Sequence, residues 1–229
     1  MKQKKKIGVL VAIEIDSVLH NYGDPYETTE LCGFQIMHYE NEAFIMYVLN
    51  AGAGELAAAA GTELLIARYG VDMIVNFGVV GALTEEMAKA EHCIVSRVIH
   101  YDFCGRSWLG LPDGQYPGRG TPYYETTPEL VARAQALDPG LKAVVCASAD
   151  KFGDTIEAKK RLHELYGADI CEMEAAGVVI TAERCGVPCL VIKAVSDGLS
   201  GGAEEFLEEL KRVSDICFQT VDKLLRAGI

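Results

Sequence analysis

Short apolar stretches alternate with longer helix-forming stretches along this chain, and this alternation restricts the fold more than any other feature of the sequence. The segment at 7–13 is continuously apolar, which is typical of a strand covered on both faces. Further strands are predicted at 34–39, 43–49, 73–79, 92–101, 143–149, 168–173 and 188–195, the first two as a hairpin. Helices are predicted at 55–68, 128–137, from 155 onward, 174–185 and 204–225. Such alternation predicts an α/β fold of three layers (αβα) around a central mixed sheet.

The chain is predicted to form a single domain over 1–229, because it contains no linker, repeat or shift in composition. One segment, 102–126, is rich in glycine and proline and interleaved with aromatic residues. A long loop of this kind is typical of a lid or a subunit contact, and a tolerated surface insertion is the alternative.

The charge balance limits the classes of partner. The 33 acidic residues exceed the 21 basic ones and give a formal charge of −12, which argues against a nucleic-acid or acidic-membrane binder. No apolar run approaches the roughly 20 residues that span a bilayer. The helix that begins at Thr155 is expected to expose its charged residues, namely Glu157, Lys159, Lys160 and Arg161.

The cysteines and histidines predict neither a cofactor nor a metal site. Eight cysteines are spread along the chain without a Cys-x-x-Cys pair, which favours a reducing, cytoplasmic setting. The five histidines lack metal-ligand spacing. No Walker-type glycine-rich motif is present, and the glycines near 52–54 do not complete a dinucleotide fingerprint.

Acidic residues follow several of the predicted strands. Glu14 and Asp16 come after the first strand, Glu172 and Glu174 lie at the end of another, and Asp197 follows the last. Ligands of such sheets bind beyond the carboxyl ends of the strands. Carboxylates gathered there suit glycosidic cleavage, which needs an acid for the leaving group, a base for water and negative charge beside a cationic sugar. The alternative is that these residues are helix caps and surface charges.

Two motifs carry a resemblance to a known family. Glu172-Met173-Glu174-Ala175 is followed some twenty residues later by Ser196-Asp197. With these motifs, and with Asn76-x-Gly78-x-x-Gly81 upstream, the chain resembles the 5′-methylthioadenosine/S-adenosylhomocysteine nucleosidases of the purine nucleoside and uridine phosphorylase superfamily. The resemblance extends over nearly the whole chain and implies a phosphorylase/hydrolase-like fold.

The resemblance also implies roles for the acidic residues. Asp197 is expected to protonate the purine at N7, with Ser196 positioning it, and Glu174 to bind the ribose hydroxyls. A carboxylate after the first strand is expected to activate water, with Asp16 at the matching position and Glu14 as the alternative. The substrate-binding residues implied are Met173, Phe152, Gly153, Ser196, Lys193, Ala53, Val79 and Glu172.

This sequence departs from the family pattern at several of those positions. Asp16 replaces a glutamate that is one methylene longer, and Val79 or Val80 stands where a serine or threonine is usual in the glycine-rich turn. Lys193 replaces an arginine, which is not a neutral exchange. An early Gly-Asp-Pro-x-Arg phosphate motif is absent from the end of the first strand, which favours water over phosphate as the acceptor.

We therefore predict a purine nucleosidase that hydrolyses the N-glycosidic bond of a 5′-modified adenosine-type nucleoside. A nucleoside phosphorylase and a non-catalytic nucleoside-binding or storage homologue are the alternatives. From the same resemblance and composition we expect a small-molecule nucleoside as the substrate, a homodimer and a cytoplasmic location. We expect no cofactor, no metal and no binding to nucleic acid or membrane.

Overall fold

Ten strands form one sheet in the computed structural model, which describes residues 4–229. The strands are β1 (Lys5–Val11), β2 (Glu27–Leu31), β3 (Phe34–Glu40), β4 (Phe44–Asn50), β5 (Met73–Ala82), β6 (His92–His100), β7 (Tyr123–Glu125), β8 (Lys142–Ser148), β9 (Ile170–Glu172) and β10 (Cys189–Asp197). The helices are α1 (Ile15–Tyr22), α2 (Glu55–Tyr69), α3 (Arg106–Leu109), α4 (Pro128–Leu137), α5 (Ile156–Tyr166), α6 (Ala175–Cys185) and α7 (Ala203–Arg226). A short 3₁₀ turn lies at Met87–Lys89.

Part of the sheet closes on itself. The strand order is β10-β6-β8-β9-β5-β1-β4-β3-β2, and β10 also pairs with β5. This extra pairing completes a ring of β5, β10, β6, β8 and β9. Parallel pairs such as β1–β5 and β10–β5 occur beside antiparallel pairs such as β5–β9 and β10–β6. The predicted mixed sheet is therefore confirmed.

Helices cover both faces of the sheet. One apolar cluster joins α1, α4 and α7 to the sheet, and a second joins α2 and α6 to it. In β1, Val9 belongs to the first cluster and Leu10 to the second, which explains why this strand is apolar at successive positions. The predicted three-layer αβα arrangement is confirmed.

Two elements near the N-terminus were absent from the sequence prediction. Helix α1 has an apolar face, but its eight residues are fewer than the window over which helical periodicity is read. The residues of β2 from Glu27 to Glu30 are all exposed, so this strand lacks the alternating burial that periodicity detects. Strand β2 pairs with β3 across a two-residue turn at Cys32 and Gly33, which both have positive φ. That backbone matches the twist of a tight hairpin.

The segment at 102–126 is packed against the rest of the protein. It contains α3 and β7, and β7 pairs with β6. Its Phe103 and Tyr116 rings stack with centroids 3.9 Å apart, and the Tyr116 hydroxyl lies 2.9 Å from His100 Nδ1. The guanidinium carbon of Arg119 lies 3.8 Å from the Tyr124 ring centroid. These contacts favour a structured segment over a loose surface insertion.

Within residues 4–229, no helix combines the length and apolar character needed to cross a membrane.

Candidate active site

The strand register brings Asp197 beside the end of β9. Asp197 is paired with Gly81 of β5, and Gly81 is paired with Cys171 of β9. Glu172 follows Cys171 and lies opposite Ser148 of β8. Because these strands end at the same edge of the ring, residues far apart in sequence meet around one cavity.

This cavity has a volume of about 170 Å³ and combines carboxylates with an apolar wall. Nine of the residues expected to form a site line it, namely Glu14, Ala53, Val79, Phe152, Gly153, Glu172, Met173, Glu174 and Asp197. The others are Ala12, Ile13, Val80, Gly81, Lys151, Cys171 and Phe206. Ser196 and Lys193 do not line the cavity, but each contacts a carboxylate that does.

Glu14 and Asp16 have different positions although they are two residues apart. Glu14 is buried, and its carboxylate accepts hydrogen bonds from the backbone N–H of Ile13 at 3.0 Å and of Val79 at 2.9 Å. A Cβ on Gly78 would lie 2.6 Å from Glu14 Oε1, so glycine at that position leaves room for the carboxylate. Asp16 is exposed in the first turn of α1 and does not line the cavity.

Asp197 is buried between a hydroxyl group and an ammonium group. The Ser196 hydroxyl lies 2.9 Å from Asp197 Oδ1, and Lys159 Nζ lies 2.5 Å from Asp197 Oδ2. Glu157, Lys160 and Arg161 are exposed, as predicted, but the prediction for Lys159 is wrong because its side chain is completely buried. Helix α5 turns Lys159 and Leu162, three residues apart, towards the protein interior.

Glu172 is the ionised centre of the carboxylate cluster. Lys193 Nζ lies 3.0 Å from Glu172 Oε2, and the same oxygen accepts bonds from the N–H groups of Glu174 and Ala175 at the start of α6. Burial disfavours the charge, but Lys193 and these donors outweigh it and hold the pKa of Glu172 below its usual range. The pKa of Lys193 is raised, because its carboxylate neighbours outweigh burial.

Glu174 has a raised proton affinity. Its Oε1 accepts a hydrogen bond from Gly54 N–H at 2.9 Å. Burial, with the charge of Glu172, raises the pKa of Glu174 to about 7. This carboxyl group therefore exchanges a proton near neutrality.

Glu55 is a second buried carboxyl group, which the sequence reasoning missed. It starts α2 and accepts hydrogen bonds from the Ser148 hydroxyl and from Gly177 N–H of α6. Burial and then the charge of Glu172 raise its pKa to about 8. Glu55 therefore carries a proton near neutral pH. Glu55 could not be recognised from the sequence, because a glutamate in the first turn of a helix is common on protein surfaces.

The outer part of the cavity is apolar. The Phe152 ring is 43% exposed and meets the Phe206 ring edge to face with centroids 5.5 Å apart. Lys151 is the cationic residue among those lining the cavity, and its Nζ pairs with Asp102. Phe206 was missed from the sequence because it lies on the final helix, where an amphipathic pattern already accounts for an aromatic residue.

A family model described as "Phosphorylase superfamily" matches residues 6–227. An aminodeoxyfutalosine nucleosidase of Helicobacter pylori is 29% identical over 223 residues, which cover 92% of this chain and 95% of that protein. A 5′-methylthioadenosine/S-adenosylhomocysteine nucleosidase of Shewanella halifaxensis is 26% identical over 212 residues, which cover 89% of this chain and 91% of that protein.

Solved structures are also similar to this chain. A crystal structure of the Helicobacter pylori 5′-methylthioadenosine/S-adenosylhomocysteine nucleosidase has a TM-score of 0.92 and 25% identity, covering 98% of this chain and 100% of that one. Its ligand is a pyrrolidinol that carries an aminopyrrolopyrimidine and a propynylthiomethyl group. A second structure of an enzyme of that name from the same organism, at 24% identity and a TM-score of 0.92, supports the same fold.

Proposed function

Because this chain belongs to the phosphorylase superfamily, we propose that it is a purine nucleosidase that hydrolyses the N-glycosidic bond of a 5′-modified adenosine-type nucleoside. One observation carries the proposal: Glu14, Glu174 and Asp197 line the same cavity, and each is held by different partners. Glycosidic cleavage needs those separate roles, namely an acid, a base and a group that holds the sugar.

Asp197 is the group we assign as general acid. In this assignment it donates a proton to N7 of the purine while the bond between C1′ and N9 breaks and its electron pair moves into the base. Ser196 orients the carboxyl group through Oδ1. Protonation makes the purine a neutral leaving group, so less negative charge accumulates on it as the bond breaks.

We assign the activation of the attacking water molecule to Glu14 and not to Asp16. Its carboxylate is buried, its two oxygens are fixed by two backbone donors, and it lines the cavity, whereas Asp16 is exposed outside it. A water molecule held by Glu14 attacks C1′ and gives its proton to that carboxylate. Negative charge around the cavity stabilises the positive charge that develops on the sugar.

The remaining lining residues bind the substrate in this proposal. Glu174 keeps Oε2 available for ribose hydroxyls while Oε1 accepts from Gly54. Met173 packs against the sugar, Phe152 stacks on the base and the Gly153 backbone faces the base edge. Lys193 acts indirectly, because its ammonium neutralises Glu172 behind the cavity.

Water is favoured over phosphate as the acceptor. The cavity is lined by four carboxylates and one cationic residue, Lys151, and that lysine is already paired with Asp102. A phosphate dianion needs several donors or positive charges at close range. Behind the cavity wall Lys193 offsets the charge of Glu172 and Lys159 that of Asp197, so the charge of Glu14, together with the ionised fraction of Glu174, is what opposes the entry of phosphate.

The relatives support 5′-modified adenosine-type nucleosides as the substrate class. Their names include methylthioadenosine, S-adenosylhomocysteine and aminodeoxyfutalosine. The apolar side chains of Ile13 and Phe206, which also line the cavity, suit a 5′ group that is less polar than a hydroxyl.

We further infer that 1–229 acts as one domain, forms a homodimer and works in the cytoplasm. Large exposed apolar side chains, including Leu56 at 83% and Trp108 at 71% exposure, support a subunit contact. The eight cysteines are all free thiols, which supports a reducing compartment. Light scattering of the purified protein tests the dimer.

A panel assay tests the proposed reaction. The protein is incubated with methylthioadenosine, S-adenosylhomocysteine, aminodeoxyfutalosine, adenosine and inosine, with and without phosphate, and free base and free sugar are measured. We expect adenine together with unphosphorylated sugar in phosphate-free buffer. Base release that requires phosphate and yields a sugar phosphate would establish a phosphorylase. Tight binding without release would establish a non-catalytic binding protein.

A further inference from the structure

Lys159 is a fully buried ammonium group beside the proposed acid. Its Nζ lies 2.5 Å from Asp197 Oδ2, 2.6 Å from the carbonyl oxygen of Gly198 and 3.0 Å from that of Gly201. Each of the three ammonium protons thus has an acceptor. The hydrogen-bonding capacity of this buried group is therefore filled.

The contacts of Lys159 join the acid to the turn that follows it. Gly198 and Gly201 belong to the connection between β10 and α7, and Gly198 N–H donates to Glu205 Oε2 at 3.0 Å. Lys159 therefore fixes both the position of Asp197 and the electrostatic field at its carboxylate.

Within the described part of the chain, the other titratable groups near Asp197 provide no second cation in contact with it. Burial raises the pKa of the Cys171 thiol to about 12, so this neighbour is neutral. The Lys193 ammonium is taken by Glu172, and the Lys151 ammonium is taken by Asp102. The charged groups around the cavity and the turn are Glu14, Lys151, Lys159, Glu172, Glu174, Lys193 and Glu205. Among residues 4–229, Lys159 is the one that forms an ion pair with Asp197.

We propose that Lys159 is a positioning residue that keeps Asp197 ionised in the empty site, so that binding of a purine nucleoside draws one proton from solvent. This inference rests on the proposed role of Asp197 as the acid. A carboxylate facing the lone pair of purine N7 is repelled by it, whereas a carboxylic acid donates a hydrogen bond to N7. Nucleoside binding therefore supplies the free energy that protonates Asp197 against the stabilising ammonium.

The protons taken up and the protons released balance over one turnover. One proton enters with the nucleoside and resides on Asp197, and it leaves on N7 of the base when the bond between C1′ and N9 breaks. Asp197 returns to the carboxylate paired with Lys159. The attacking water gives its oxygen and one proton to the sugar, and its other proton returns to solvent through Glu14.

Calorimetry of binding tests the inference. A carbocyclic analogue of methylthioadenosine keeps N7 and resists hydrolysis, and titrations at mildly alkaline pH in buffers of different ionisation enthalpy count the protons taken up. We expect about one proton for the wild type and close to none for Lys159→Met, because burial without a cation favours the neutral acid. Lys160→Met, an exposed neighbour on α5, should match the wild type.

Equal proton uptake by the wild type and Lys159→Met, or no uptake by the wild type, would overturn the inference. If Lys159→Met does not fold, Lys159→Gln replaces it, since glutamine is neutral and still donates to the turn carbonyls. The 7-deaza analogue should bind to the wild type without proton uptake. If the wild type releases adenine but Lys159 does not affect the proton count, only this inference fails; if no nucleoside is cleaved, the proposed function fails whatever the count.

Discussion

At the scale of single residues, the four carboxylates of the cavity differ because their partners differ. Glu172 faces the Lys193 ammonium, Asp197 faces Lys159, Glu14 faces two backbone N–H groups and Glu174 faces one. These different partners change the pKa of two of the carboxyl groups. The pKa of Glu172 is lowered, and the pKa of Glu174 is raised to about 7. Identical side-chain chemistry thus supports separate roles in one small volume.

Glu14→Gln tests the water-activating assignment, and Asp16→Asn is its matched control. Glutamine keeps the size of Glu14 but cannot accept the proton of the attacking water. We expect Glu14→Gln to lower kcat by roughly 10²–10⁴-fold, and to lower the thermal midpoint somewhat, because its amide NH2 leaves one of the two backbone N–H donors without an acceptor. Asp16→Asn should leave kcat within about twofold of the wild type, because that side chain is exposed outside the cavity.

Steady-state adenine release by both variants in phosphate-free buffer gives the answer. A large loss in Asp16→Asn together with an active Glu14→Gln would reverse the assignment.

The resemblance alone favoured Asp16, because the family position was counted along the chain. The structure distinguishes the two residues because Glu14 precedes α1 and faces the cavity, whereas Asp16 lies in its first turn and faces away.

At the scale of elements, the start of α6 is built around two buried carboxyl groups. Glu172 accepts from the N–H of Ala175, and Glu55 of α2 accepts from the N–H of Gly177. Free N–H groups and the helix dipole at a helix start favour such acceptors. A Cβ on Gly177 would overlap the carbonyl oxygen of Glu55, so glycine allows α2 and α6 to approach this closely.

Glu55 makes the stability of this contact depend on pH. Its pKa is about 8 in the folded protein and an ordinary 4.5 when unfolded. Between those values the folded chain keeps a proton that the unfolded chain has released, so the stability contribution is complete below pH 4.5 and is lost as the pH rises to 8. Glu55→Gln, which mimics the neutral form, should remove this loss.

Denaturant unfolding of the wild type and Glu55→Gln at several pH values tests this expectation. As the pH rises from 4.5 to 8, the free energy of unfolding of Glu55→Gln should increase relative to that of the wild type, by on the order of a few kcal/mol. Glu63→Gln changes an exposed glutamate of the same helix and should run parallel to the wild type. Parallel curves for Glu55→Gln would mean that Glu55 is ionised in the folded protein.

Sequence predicted the buried elements better than the exposed or short ones. The apolar run in β1 and the successive buried residues of β5 allow few alternatives to a covered strand. Strand β2 was missed because it is exposed, and its position depends on the Cys32-Gly33 turn. Lys159 was placed on the surface because charge on a helix is usually solvated, but the packing of α5 against the turn after β10 and against Gly81 buries it.

At the scale of the whole molecule, ring closure of the sheet creates the site. The pairing of β5 with both β10 and β9 places Asp197 beside Gly81 and Cys171. The sequence could predict that acidic residues follow several strands, since their positions along the chain are visible. It could not predict which of them share a cavity, because that depends on strand order and register.

In the proposed reaction, Asp197 supplies the proton on which cleavage of a purine nucleoside depends. The most direct measurement is adenine release from methylthioadenosine in phosphate-free buffer by the wild type and by Asp197→Asn, with circular dichroism confirming that both are folded. We expect repeated turnover by the wild type and a kcat lower by roughly 10²–10⁴-fold in the variant. A folded Asp197→Asn with the wild-type kcat would contradict the claim.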